Sequence, residues 1–131
     1  MRQKIILRMR DGRLKKCTTF SHFSAAFAKI KVLTTEGWVE TVDLSDVKAI
    51  FFVREFEGNP NYKASNEFNE GSPKAGMAVK VTFADGEVMR GKVINLAEKS
   101  GGFFLFPADP KDNNRKVFVV RARDTIVEVE G

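Results

Sequence analysis

The chain has 131 residues, of which 43% are hydrophobic, and this content can fill the core of one ordinary domain or of two small ones. A disordered chain is therefore excluded. No apolar run is long enough to cross a bilayer, and charges interrupt the short apolar run where a signal peptide would be continuous, so a cytoplasmic protein with no membrane segment is expected. The single Cys17 cannot form an internal disulfide, and with only His22 nearby it offers no zinc set, so no metal or cofactor is expected.

The net charge of +5 is unevenly distributed along the chain. Residues 1–31 carry nine Lys or Arg against one acid, residues 32–71 carry three against eight, and the remainder carries ten against eight. Such segregation is typical of a basic face that attracts nucleic acid, phosphate or an acidic partner. It equally suits basic and acidic segments that attract each other within the fold, and the charges alone leave both interpretations open.

The first predicted element, a β-hairpin at residues 5–14, recurs at residues 79–88. Each copy has an Asp-Gly pair after a run in which apolar and polar residues alternate, which is the period of a strand with one buried face. Asp-Gly between such runs is a strong hairpin signal, because Gly takes the positive φ that the turn requires. The two hairpins predict an internal duplication.

Further along the chain, residues 18–33 and 93–106 are both rich in Phe. The spacing of Phe20, Phe23 and Phe27 also suits a short helix, but two glycines and Pro107 in the second copy favour strand, loop and strand in both. Strand, turn and strand then follow in residues 42–53 and 118–129. Equivalent positions are 74 residues apart at the hairpins and 76 apart at Ile50 and Ile126, which indicates one small insertion.

The elements together predict an all-β fold of two tandem small five-stranded barrels related by internal duplication. Residues 1–56 are assigned to the first barrel, 57–76 to a polar linker and 77–131 to the second barrel. The linker is rich in Gly, Asn and Pro, and Tyr62 and Phe68 are expected to hold it against a barrel.

The second copy resembles the Sm-like and SH3-like small barrels. Residues 81–93 have glycines at 86 and 91, where the first Sm motif places them, and residues 119–126 are similar to the second motif with Ala122 where Gly is usual. Gly91 is expected to relieve crowding where a strand bends around a small barrel. The resemblance implies RNA binding, but residues 96–102 lack the Asp and Asn with which such proteins read bases.

Residues 47–59 and 102–110 also resemble an uncharacterised bacterial domain family, found alone or beside response-regulator receiver and PilZ domains. The resemblance covers nearly the whole chain and implies no particular activity. The chain has neither the paired-Arg motif nor the complete Asp-x-Ser-x-x-Gly of PilZ domains that bind cyclic di-GMP.

Two basic clusters are the candidate binding residues for phosphate or an acidic partner, and the alternative for both is a solvated surface. In the first hairpin, alternation places Arg8 and Arg10 on the solvent face opposite Leu7 and Met9. The clusters are Arg8, Arg10, Arg13, Lys15 and Lys16, and Arg115, Lys116, Arg121 and Arg123.

No catalytic residues are expected, because Cys17 and His22 stand without a surrounding motif and no phosphate loop or nucleophile elbow is present. The leading hypothesis is a non-enzymatic bacterial adaptor or regulatory module that meets a protein partner through strand edges and basic loops. The alternative is Sm-like, sequence-tolerant binding of RNA or single-stranded nucleic acid through the basic N-terminal face. Exposed strand edges also leave self-association into a dimer or ring open.

Overall fold

A computed structural model describes residues 3–19, 28–96 and 101–130, and it confirms the all-β class. Phe20, Phe23, Phe27 and His22, and residues 97–100 of the loop that lacks base-reading side chains, lie outside these ranges. No helix in the described part is long and apolar enough to cross a membrane. The elements are β1 (Lys4–Met9), β2 (Leu14–Thr19), β3 (Lys29–Thr34), β4 (Val39–Asp43), a 3-10 turn (Leu44–Asp46), β5 (Val47–Val53), β6 (Met77–Thr82), β7 (Val88–Val93), β8 (Gly102–Pro107), β9 (Asn114–Val120) and β10 (Ile126–Glu130).

The ten strands form one open antiparallel sheet in the order β10-β6-β7-β8-β9-β5-β1-β2-β3-β4. Within the first half, β1 to β5, the last strand lies beside the first, and the second, third and fourth strands follow in turn. The second half, β6 to β10, repeats this order. The halves meet where β5 pairs with β9, and β10 and β4 are the two outer edges.

The two predicted Asp-Gly hairpins are confirmed as β1–β2 and β6–β7. Gly12 and Gly86 have φ values of +93° and +91°, in the left-handed region that favours glycine. Asp11 and Asp85 each accept a hydrogen bond of 3.0 Å from the backbone amide two residues further on. The same local chemistry therefore makes the same turn twice.

The closing strands are related by a spacing different from the predicted one. Ile50 pairs with Leu7, and Val127 pairs with Val81, the counterpart of Leu7 in the second hairpin. Ile50 and Val127 are therefore equivalent, 77 residues apart, and the match of Ile50 to Ile126 is wrong by one residue. Pairing register, and not residue identity, decides which face of a strand is buried.

Two hydrophobic cores lie on opposite sides of the junction between the halves. Ile50 and Phe52 of β5 pack into the first core, and Ala49, Phe51 and Val53 pack into the second. Side chains of β9 divide in the same way, with Phe118 and Val120 in the first core and Val117 and Val119 in the second. Both central strands are thus buried on both faces, and this accounts for their nearly continuous apolar sequences.

Residues 57–76 connect the halves and pack on the β8–β9 connection. The buried carboxylate of Asp109 accepts hydrogen bonds from the Tyr62 hydroxyl and, at 3.0 Å, from the Ser65 amide. The Ser72 hydroxyl donates to the Ala108 carbonyl. These bonds hold the segment by polar contacts, while Tyr62 and Phe68 stay 41% and 38% exposed.

Candidate binding cleft

Four basic side chains converge at one end of the β5–β9 junction. Lys4 comes from β1, Arg54 follows β5, and Arg115 and Lys116 lie on β9. They line a cavity of about 580 Å³, here called the basic cleft, whose remaining lining residues are Gln3, Phe52, Val53 and Phe106.

The strand pairing of the two halves creates this cleft. Phe52 of β5 pairs with Ile5 of β1 on one side and with Lys116 of β9 on the other. The pairing of β5 with β9 therefore brings Lys116, from the second half, next to the first half. Beyond the strands, the Asn113 side-chain amide accepts from the Glu55 amide at 3.1 Å and donates to the Glu55 carbonyl at 2.8 Å. The Arg54 amide also donates to the Asn113 carbonyl at 2.9 Å, which fixes the rim of the cleft.

Lys116 is the most enclosed cation of the basic cleft. Its Nζ lies 4.8 Å from the ring centroid of Phe52 and 4.7 Å from that of Phe104, within the range of cation–π attraction. Burial, and then the nearby charge of Arg115, lowers the pKa of Lys116 from its ordinary value. A bound anion would favour the charged form that these surroundings disfavour.

The cations differ in their partners. In the described part of the chain, no carboxylate lies within ion-pair distance of Arg115 or Lys116. Lys4 pairs with Glu55 at 3.2 Å, but both side chains are largely exposed, and such a pair contributes little. The Arg54 side chain donates from its Nε to the Asp112 carbonyl at 3.5 Å, and the described residues give it no carboxylate within ion-pair distance. The cleft therefore keeps positive charge available for a ligand.

The first predicted basic cluster is arranged differently, because four of its five members have an acidic partner within the fold. Lys16 is exposed, and the described residues give it no carboxylate partner. The four ion pairs are Arg8–Glu87 at 3.0 Å, Arg10–Asp124 at 3.9 Å, Arg13–Asp11 at 2.7 Å and Lys15–Glu40 at 2.8 Å. In three of these pairs, those of Arg8, Arg10 and Lys15, the basic segment is attracted to acids of later segments.

Arg8 was expected on a solvent face, and the second half partly covers it. Its guanidinium lies 4.6 Å from the centroid of the Phe51 ring and pairs with Glu87. Lys48, only 13% exposed, pairs with Asp85 at 2.7 Å and with Glu87 at 2.6 Å. Arg8, Lys48, Asp85 and Glu87 form what is here called the junction staple, which ties β1 and β5 to the β6–β7 hairpin.

The second predicted cluster is divided by the fold. Arg115 and Lys116 enter the basic cleft, whereas the Arg121 guanidinium lies 5.4 Å from the Phe103 ring centroid. The Arg121 Nε is buried and has no hydrogen-bond partner among the described residues. Arg123 is exposed. Sequence reasoning missed Lys4 and Arg54 as partners of Arg115, because only the pairing of β5 with β9 brings these distant positions together.

The Cys17 thiol and the described acidic groups are the remaining side chains with reactive or metal-binding chemistry. Cys17 is fully buried, and burial raises the pKa of its thiol to about 12. Among the residues that the structure describes, no three His, Cys, Asp or Glu side chains converge as metal ligands.

The ten-stranded sheet, its two cores and the junction between its halves define an all-β protein. The chain belongs to a family of unknown function, DUF6982, whose model matches residues 1–131. No curated protein and no solved structure matches it significantly.

Proposed function

We propose that this chain is a non-enzymatic adaptor or regulatory module that holds an acidic segment of a partner protein in the basic cleft. The observation that carries the proposal is the pair Arg115 and Lys116, which have no carboxylate partner in the described part and line a cavity of about 580 Å³. A carboxylate there would accept charge-assisted hydrogen bonds from both side chains, and these are stronger than neutral ones.

The proposed architecture is a pair of small Sm-like or SH3-like barrels within the open sheet. Its support is that both halves have the same strand order and that each half supplies most of the side chains of one core. Gly91 adds support, because a Cβ there would lie 2.2 Å from the Phe106 carbonyl oxygen. The resemblance to a bacterial domain found beside receiver and PilZ domains suits a cytoplasmic regulatory setting.

Single-stranded nucleic acid is the second candidate ligand. Its expected binding place is the basic cleft and not the basic N-terminal face. Half-buried Phe106 lines the cavity beside Arg115 and Lys116, and aromatic rings beside cations suit stacked bases and phosphates. The N-terminal face, in contrast, has most of its cations in internal ion pairs.

Fluorescence anisotropy distinguishes the two candidate ligands. The chain is titrated at low salt into a labelled Glu-rich peptide and into a labelled single-stranded RNA of equal length. We expect the wild-type chain to bind the peptide, and Arg115→Glu/Lys116→Glu to weaken that binding at least about tenfold, because two charge-assisted contacts become repulsive. Tighter binding of RNA, with steep loss as salt rises, would favour the second candidate.

A matched control changes Lys63 and Lys74, two exposed lysines of the connecting segment, to Glu. The control has the same net charge as the cleft variant, so it should retain peptide binding if the cleft is the site. Equal losses in both variants would show a general charge effect and overturn the proposal, as would peptide binding that the cleft variant leaves unchanged.

A further inference from the structure

The internal junction between the halves depends on apolar side chains that cross from one half to the other. On β5, Phe51 and Val53 point away from the first core and are 3% and 6% exposed within the second. On β9, Phe118 and Val120 point the other way and are 0% and 5% exposed within the first core. These four side chains make the junction a continuous apolar contact.

The two outer edges of the sheet are the counterparts of the two junction strands. β10 is the last strand of its half, as β5 is, and β4 is the fourth strand of its half, as β9 is. A second copy could therefore in principle place its β10 against β4 and repeat the internal junction head to tail. Such contacts close into rings or continue as filaments.

The residues at the equivalent edge positions are polar or charged. The register of β6 with β10 sets Glu128 and Glu130 at the positions of Phe51 and Val53. Through the β2–β3–β4 and β7–β8–β9 ladders, Thr41 and Asp43 stand at the positions of Phe118 and Val120.

Their local contacts also keep these groups at the surface. Glu130 pairs with Arg90 at 3.2 Å, and Asp43 accepts hydrogen bonds from the Ser45 amide and hydroxyl at 3.0 and 2.9 Å. Repeating the junction between copies would bury three carboxylates where the internal junction buries apolar groups. Burying carboxylates is unfavourable, because the loss of hydration can exceed the attraction to a partner such as Arg90.

We infer that the acidic residues Asp43, Glu128 and Glu130 close both sheet edges against head-to-tail self-assembly, so that the sheet ends at two units. Charged side chains on edge strands are a general means of preventing strand addition. The chain is then a monomer in solution, and it leaves its basic cleft accessible.

The test transfers the junction's own residues to the edges. One variant carries Glu128→Phe/Glu130→Val on β10, and a second carries Thr41→Phe/Asp43→Val on β4. Light scattering after size exclusion should give the wild-type chain its monomer mass of 14.7 kDa. An equimolar mixture of the two variants should give a complex of twice that mass, and one chain carrying all four changes should give a ladder of larger species.

The control carries Glu67→Phe/Glu70→Val, which exposes the same apolar groups on the connecting segment. It should not form a complex of defined mass with either edge variant. Assembly of the wild-type chain through β4 and β10 would overturn the inference. A mixture in which the two edge variants are folded but stay monomeric would also overturn it. Circular dichroism establishes that each variant is folded.

Discussion

Cys17 shows how its position in the sheet determines a residue's chemistry. It lies on β2 opposite Ile5, fully buried in the first core, and burial raises its thiol pKa to about 12. Since the thiolate is the reactive form, we predict that alkylation at neutral pH proceeds only as fast as the chain opens. The measurement compares labelling by iodoacetamide in buffer and in denaturant, and rapid labelling of the native chain would contradict the assigned burial.

The raised thiol pKa also predicts a pH dependence of stability. The unfolded chain's thiol ionises above about pH 8.5, whereas the folded chain's thiol stays neutral, so unfolding releases a proton. The stabilising contribution is complete below that pH and declines as the pH rises toward 12. Urea unfolding of wild type and Cys17→Ala should show a smaller decline between pH 8 and 10 in the variant.

Gly91 is required for packing and not for its backbone angle. An added Cβ would lie 2.2 Å from the Phe106 carbonyl oxygen and 2.9 Å from the Leu105 side chain, and backbone cannot move away cheaply. We predict that Gly91→Ala lowers the free energy of unfolding by about 1–3 kcal/mol, as overpacking does. Lys92→Ala, on the same strand, is the control, and a Gly91→Ala chain as stable as that control would exclude the close approach of β7 and β8.

At the level of elements, the connecting segment depends on one carboxylate. The hydrogen bond from the Tyr62 hydroxyl, and then that from the Ser65 amide, lowers the pKa of Asp109. The stabilisation is therefore complete above the unfolded value, about pH 3.9, and is lost as the pH falls through the lower folded value. We predict faster amide exchange at Ser65 in Asp109→Asn at neutral pH, whereas Glu67→Gln should leave it unchanged.

The junction staple gives a second prediction at this level. Lys48→Met leaves Asp85 without its ion-pair partner and Glu87 with Arg8 alone, so we expect a loss of about 1–2 kcal/mol in the free energy of unfolding. Arg13→Met removes a pair whose side chains are 71% and 54% exposed, and it should cost less than about 0.5 kcal/mol. Equal effects of the two variants in urea unfolding would show that the staple does not hold the halves together.

The hairpins could be predicted from the sequence because their information is local. An Asp-Gly turn and an alternating strand are encoded within about ten residues, and both hairpins formed as expected. The pairing of β5 with β9 joins residues far apart in the chain, such as Ile50 and Phe118, which are 68 positions apart. No local pattern specifies that partner, although the five consecutive apolar residues 49–53 of β5 indicate a strand that is covered on both faces.

For the molecule as a whole, the sequence shows how the charges are distributed along the chain. It does not show which charges form ion pairs within the fold and which line the cleft. Four cations of residues 1–31 pair with acids of later segments, and these acids include Glu40, Glu87 and Asp124. Arg115 and Lys116 were identified as candidates, whereas Lys4 and Arg54 joined them only through tertiary pairing. A cleft built at the junction of the two halves cannot be read from the sequence of either half alone.

Backbone NMR of the labelled full chain tests most directly whether the basic cleft is the binding surface. On titration with the Glu-rich peptide, we predict that the amide signals of Lys4, Arg54, Arg115 and Lys116 shift together and saturate with one dissociation constant. Shifts confined to Lys16, Lys29 and Lys31, which are exposed on the first half, would contradict the claim. So would a titration that moves no signal in the cleft.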